Sequence, residues 1–168
     1  MKVISNSSPL IGLSLIKELD LIRKLWGHII IPRAVFKETV VVGKKKPGAS
    51  DIAGACRSWI KVAHAKNRRE VAALQTVLDE GEAEVITLGQ EVKADLLLLD
   101  NREPRLFART LNFEVLGTIG IIKMAWQRGL VRDPVSKLQQ LRLKGFWIDD
   151  ILFNKILSDL SKQKTIKG

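Results

Sequence analysis

The sequence is poor in the residues that hold soft metals and disulfides. One cysteine, Cys56, stands among 168 residues, and His28 and His64 are the only histidines. A single thiol excludes a disulfide framework within the chain. Two imidazoles and one thiol also fall short of the Cys/His sets that build zinc sites. No apolar run approaches the roughly 20 residues of a membrane-spanning helix. The opening Met1-Lys2-Val3-Ile4-Ser5-Asn6 lacks the apolar stretch of a signal peptide. A cytoplasmic protein without membrane contact is therefore expected. Internal repeats and low-complexity linkers are missing too, and the length fits one domain of the usual 100–200 residues or so.

What remains is a folding chain with a strong positive bias. Apolar residues make up 46% and charged residues 27%, which excludes a disordered chain. Folding at this size buries about 70% of the unfolded surface, enough for a real core. Lys and Arg number 28 against 18 Asp and Glu, a net charge of +10. Such a balance points to an anionic partner, nucleic acid first. The charge is uneven: residues 1–120 carry 18 basic and 14 acidic side chains, and residues 121–168 carry 10 and 4. Against this background Asp79, Glu80, Glu82 and Glu84 crowd into six positions. Acids are also favourable at a helix N-terminus, so the cluster has a purely local explanation as well.

Short apolar strands alternate with helices. Val3-Ile4 reads as a strand ending at Ser5-Asn6. Ser7-Ser8-Pro9 then opens a helix, serine capping it and proline just inside, with a helical period to about Trp26. His28–Ile31 is a second strand closed by Pro32, followed by a helix from Arg33 to about Val40. Gly43–Ser50 is a basic Gly/Pro loop holding Lys44, Lys45 and Lys46. A helix capped by Ser50 covers 51–58, a strand 59–64, and helices 70–78 and 82–92. Leu96–Leu99 is a buried strand ending in Asp100. A helix over 104–111, a strand over 113–116 and a helix over 120–128 follow. Two amphipathic helices, 135–143 and 149–160, precede a polar tail expected to fray. The alternation predicts a parallel sheet covered on both faces.

In open α/β sheets ligands bind beyond the carboxyl ends of the strands. Asn6 and Asp100 end two strands, Glu38 follows the second strand, and Glu82 opens a helix after a glycine. If the strands are neighbours, these four converge. Carboxylates without histidine or thiolate suit Mg²⁺ or Mn²⁺, which take oxygen ligands and complete their shells with water and phosphate. Such an ion activates water against a phosphodiester, while lysines and arginines grip the backbone. Each acid also has a structural reading as a cap, a dipole partner or a solvated residue. Glu84, two positions from Glu82, points to another side of the helix. Trp126 and Trp147 read as packing residues.

The order of these segments resembles the PIN-domain ribonucleases. Val3-Ile4-Ser5-Asn6-Ser7-Ser8-Pro9-Leu10-Ile11 is similar to their opening strand–turn–helix. Ile30-Ile31-Pro32 with Val35 and Glu38, then Glu82-Ala83-Glu84-Val85-Ile86, then Leu98-Leu99-Asp100, resemble the acidic elements that follow. Ser-Pro-Leu-Ile, Gly81–Glu84, Gly117–Ile121 and Gly145–Ile148 resemble a subfamily related to VapC-type toxins. The resemblance covers roughly residues 1–155. It implies a three-layer α/β/α domain, with a central, mostly parallel sheet, over residues 1–134, and a C-terminal helical extension, 135–168, packed on it. It implies an endoribonuclease using Mg²⁺ or Mn²⁺ held by Asn6, Glu38, Glu82 and Asp100. Ser7, Ser8 and Glu84 would support the site, and Lys44–Lys46, Arg102 and Arg105 would hold RNA. It further implies a small cognate antitoxin and a homodimer. Position 6 departs from the pattern, since most PIN nucleases carry aspartate there. Asparagine offers a carbonyl oxygen but no charge. Two other readings stay open beside the nuclease. One is a PIN module that binds RNA or a protein without cutting, and the other is a phosphoacceptor domain using Asp100.

Overall fold

In the computed structural model residues 1–167 are described, with side chains through Gln163. Five strands, β1 (Val3–Ser5), β2 (Ile29–Pro32), β3 (Ile60–Ala63), β4 (Leu96–Leu98) and β5 (Glu114–Leu116), form one sheet. The order is β3-β2-β1-β4-β5 and every pairing is parallel. Strands buried on both faces need not alternate apolar and polar residues. Accordingly the three leucines of β4 and the Val3-Ile4 pair of β1 are all buried.

The helices are α1 (Ser7–Leu15), α2 (Asp20–Trp26), α3 (Arg33–Phe36), α4 (Ala49–Cys56) and α5 (Arg68–Leu74). They continue with α6 (Glu80–Val92), α7 (Arg102–Thr110), α8 (Thr118–Gln127), α9 (Pro134–Leu143) and α10 (Asp150–Lys167). Helices α1, α4, α8 and α9 pack together in one layer, and α3, α5 and α6 in the other. The expected three-layer α/β/α architecture is therefore present. From β1 the chain steps outward to β2 and β3, then returns to β4 and β5 on the other side. The order reverses between β1 and β4. That reversal opens a crevice at the carboxyl ends of the strands, where ligands bind in such sheets.

Several boundaries differ from the sequence expectations for local reasons. The helix expected over 7–26 is two helices, because Lys17 adopts a left-handed backbone (φ 59°) between α1 and α2. Apolar residues continue across that break, since Ile16, Leu19 and Leu21 are all buried. The cap of α1 is Asn6, extended and without a side-chain capping bond, rather than a serine. Its amide is thus not consumed by the helix. Helix α4 begins at Ala49, one residue before the expected Ser50 cap. The helix expected from Arg33 to Val40 is α3 followed by a π-helical turn, Lys37–Val42. Helix α6 starts at Glu80, not Glu82, with Asp79 as its cap. The tail expected to fray is helical through Lys167 as the end of α10; Gly168 lies outside the described residues.

Candidate metal-binding and catalytic site

Two backbone bonds bring the crevice together. Asn6 N–H donates to the Leu98 carbonyl at 3.0 Å, and Leu99 N–H donates to the Leu116 carbonyl at 3.0 Å. Asn6 and Asp100 therefore leave neighbouring strands at one edge. Asp100 is held at the start of α8, where backbone N–H groups favour an anion. Thr118 N–H donates to its Oδ1 and Thr118 Oγ1–H to its Oδ2, each at 2.7 Å. Arg105 Nη1 donates to the Leu99 carbonyl at 2.9 Å and stands beside the same carboxylate. A Cβ on Gly117 would lie 2.6 Å from Arg105 Nη1 and 2.8 Å from Asp100 Oδ1. Only glycine admits this approach. Burial pushes the Asp100 carboxyl above the ordinary aspartate value, against the opposing pull of the Thr118 bonds and the Arg105 charge.

Glu82 reaches the edge from α6. Its backbone N–H donates to Asp79 Oδ1 at 2.7 Å, and its Oε2 accepts from Asp79 N–H at 3.2 Å. This reciprocal capping box fixes the first turn of α6. Glu82 Oε1 accepts from Asn101 Nδ2 at 2.7 Å, which ties α6 to the residue after Asp100. Asn6 closes the group. It is 3% exposed, and its Oδ1 is buried with no hydrogen-bond partner. A Cβ on Gly81 would stand 3.1 Å from Asn6 Oδ1 and 3.4 Å from Asp79 Oδ1. The glycine thus lets α6 approach β1 until both side chains share one small space.

The other residues singled out from the sequence divide. Glu38 is exposed on the π-helical turn, where its carbonyl accepts from Gly43 N–H at 3.0 Å, and its side chain has no hydrogen bond or ion pair among the described residues. Val35, three residues earlier, has its Cγ2 3.5 Å from where a Cβ on Gly81 would lie; no contact joins Glu38 to the other candidates among the described residues. Glu84 neither faces the crevice nor is solvated. It is 4% exposed, accepts from Ala34 N–H at 3.0 Å and pairs with Arg68, fastening α6 to α3. Ser7 is buried in the first turn of α1, and Ser8 lines a groove with Asp100, Arg102 and Arg105. Lys44–Lys46 are exposed in their loop. Trp147, expected to pack, is 82% exposed. Sequence reasoning assigned no site role to Asp79, Asn101 or Thr118. The Asp-x-x-Glu spacing at 79–82 was the signal available for Asp79.

The donors present suit a hard divalent cation. They are oxygens only, and the buried Asn6 Oδ1 lacks the partner that buried polar atoms normally have. Among the described residues no three His, Cys, Asp or Glu side chains are grouped to hold a metal ion. The oxygen donors on these strand ends and the first turn of α6 are two carboxylates, Glu82 and Asp100, and the Asn6 amide oxygen. That matches the way Mg²⁺ is commonly bound, through one or two carboxylates with water and substrate phosphate filling the shell. Among the described residues no helix is long and apolar enough to cross a membrane. A family model, DUF3368, described as a PIN domain, matches residues 2–162. No curated protein matches the chain.

Proposed function

The chain belongs to the PIN-domain family, a family of nucleases, and from that premise we propose that it is a metal-dependent endoribonuclease of toxin type. What supports the reading is that Asn6 and Asp100 follow neighbouring strands at the switch point of the sheet, that Glu82 bonds to Asn101 next to Asp100, and that Asn6 Oδ1 is buried and unpartnered among the described residues. Asn6, Glu82 and Asp100 would hold Mg²⁺ or Mn²⁺ there, with Glu38, on the turn after β2, as a further ligand. When bound, such an ion lowers the pKa of its water and offsets charge developing on the phosphate. The chain's own residues do the rest. Arg105, beside Asp100, pairs with the scissile phosphate. Ser7 or Ser8 orients water or a ligand by hydrogen bond. Thr118 fixes both Asp100 oxygens so that they enter the site without rearrangement.

The test is cleavage of a mixed RNA pool by the purified chain with Mn²⁺ and with EDTA. Cleavage is expected with Mn²⁺ alone, and Asp100→Ala is expected to lose roughly a hundredfold or more with its circular dichroism unchanged. A parent chain that leaves all RNA intact, or a variant as fast as the parent, overturns the reading. One observation favours a second reading, a module that binds RNA without cutting: Asn6 brings no charge, and both Asp100 oxygens are already bonded to Thr118. RNA retained on the parent chain without products in Mn²⁺ supports that alternative. The toxin role extends the proposal to a small cognate antitoxin and a homodimer. Sequencing beside the gene for a small open reading frame, and co-expression with it followed by sizing of the purified species, tests both.

A further inference from the structure

A groove of about 870 Å³ runs away from Asp100 between α1, α7, α8 and the start of α10. We infer that this groove is the track for a single-stranded RNA, with one base stacked on Trp147 and the backbone along Arg102, Arg105 and Arg109. The inference rests on the nuclease reading for the direction of the strand, toward Asp100. Its groove geometry stands independently.

The cations come from one helix face. Arg102, Arg105 and Arg109 fall at i, i+3 and i+7 on α7, and all three line the groove. Seven residues of helix rise about 10 Å, roughly three phosphate steps of a stacked strand. Lys144 adds a fourth cation on the opposite wall, against Asp100 and Asp149 as the acids of the lining. Guanidiniums suit this task because their planar forks pair with phosphate oxygens in two bonds.

The aromatic platform is held out by its neighbours. The segment Gly145–Asp149 joins α9 to α10. Phe146 turns inward, its ring edge close enough to Gly12 of α1 that a Cβ there would lie 2.9 Å from Phe146 Cε2. Ile148 is 6% exposed. The indole between these two inward residues projects into solvent at 82% exposure. A large apolar ring fixed outward beside a row of arginines is the combination that single-stranded nucleic acid uses: stacking for the bases and charge for the backbone. Beside Trp147 the lining is largely apolar, with Ile11, Leu15, Leu116, Ile119 and Leu152, so contact with bases is mainly by stacking and packing. Binding is therefore expected to tolerate any sequence. A duplex, whose bases are already stacked and paired, has nothing to give Trp147. An acidic amphipathic peptide is the competing occupant of such a groove.

The full chain in EDTA, where no cleavage occurs, is titrated into a fluorescein-labelled single-stranded RNA of about ten nucleotides, and anisotropy is read at several salt concentrations. Trp147→Ala is expected to weaken binding at least about fivefold and up to about a hundredfold, and Trp147→Phe to restore most of it. The double variant Arg102→Gln/Arg109→Gln is expected to make the log–log salt slope shallower by about 1.4. A blunt RNA duplex is expected to show no response to Trp147→Ala. Single-stranded binding that is absent, or unchanged in Trp147→Ala, overturns the inference. So does an unchanged salt slope in the double variant. Loss of binding to an acidic peptide, with RNA binding unaffected, assigns the groove to a protein instead. Cleavage by the parent in Mn²⁺ with indifferent groove variants would leave the nuclease reading standing and this one lost. Variant-sensitive binding without any cleavage would do the reverse.

Discussion

Asp100 experiences opposing influences, and their balance is measurable. Burial disfavours its charge more than Thr118 and Arg105 favour it, so its folded value lies above the ordinary one. The unfolded chain then holds fewer protons than the folded chain between about pH 3.9 and the raised value. Stability from this group is present below that window and is lost as pH rises through it. Asp100→Asn removes the titration while keeping an oxygen for Thr118 N–H. The melting temperature of the variant relative to the parent is therefore expected to be higher at pH 7 than at pH 4. Equal differences at the two pH values would show that burial of the charge costs nothing. Asn6 carries the complementary prediction. An aspartate at position 6 would be buried beside Asp79 without a countercharge, which destabilises the metal-free chain. The same charge should tighten Mg²⁺ binding about tenfold by calorimetry and let Mg²⁺ recover the lost melting temperature. Affinity unchanged or weakened would remove Asn6 from the ligand set.

At the scale of elements, the start of α6 joins structure to site. Asp79 caps the helix, Glu82 returns the bond, and Glu82 also receives Asn101. Losing the cap costs typically about 1 kcal/mol, or about 2–4 °C in a domain of this size. Asp79→Ala is expected to show that loss, and Asp79→Asn, which preserves an accepting oxygen, to stay within about 1 °C of the parent. A similar fall in both variants would mean that the charge of Asp79, not its cap, stabilises the turn. Much of this element was legible in advance. Apolar runs located β1, β2 and β4, because strands covered on both faces carry no polar alternation, while the half-exposed β3 was read from weak alternation. The placement of Asn6 and Asp100 just after neighbouring strands, and of Glu82 near a helix start, was legible too. Other features lay below what local pattern carries. Lys17 breaks a helix without any loss of apolar period. The π-helical turn at Lys37–Val42 has no compositional mark. Glu84 and Trp147 took opposite fates to their expected ones. Glu84 is neutralised by Arg68, a partner 16 residues away, and Trp147 is exposed between a half-buried Phe146 and a buried Ile148.

For the whole molecule, the charge of +10 and the C-terminal helix belong to one design. The chain from residue 121 onward carries the greater share of excess positive charge, yet α10 contributes little of it. Residues 150–168 hold four lysines and two aspartates. Their contribution is mainly apolar: Phe153 and Leu160 are buried in the common core, with Arg142 stacked 4.6 Å over the Phe153 ring. Each buried side chain of this size is worth roughly 1.5–3 kcal/mol. Ending the chain at Asp149 should thus lower the melting temperature by about 10 °C. The same cut removes Leu152 and Ile156 from the groove wall while lowering the net charge only to +8. If RNA is held by charge spread over the whole surface, affinity should fall no further than that small change allows. If RNA is held in the groove, affinity should fall well beyond it, and the loss should persist when salt is lowered to restore the electrostatic part. Anisotropy of the shortened chain, measured below its own melting temperature, decides between a diffuse basic surface and a built track.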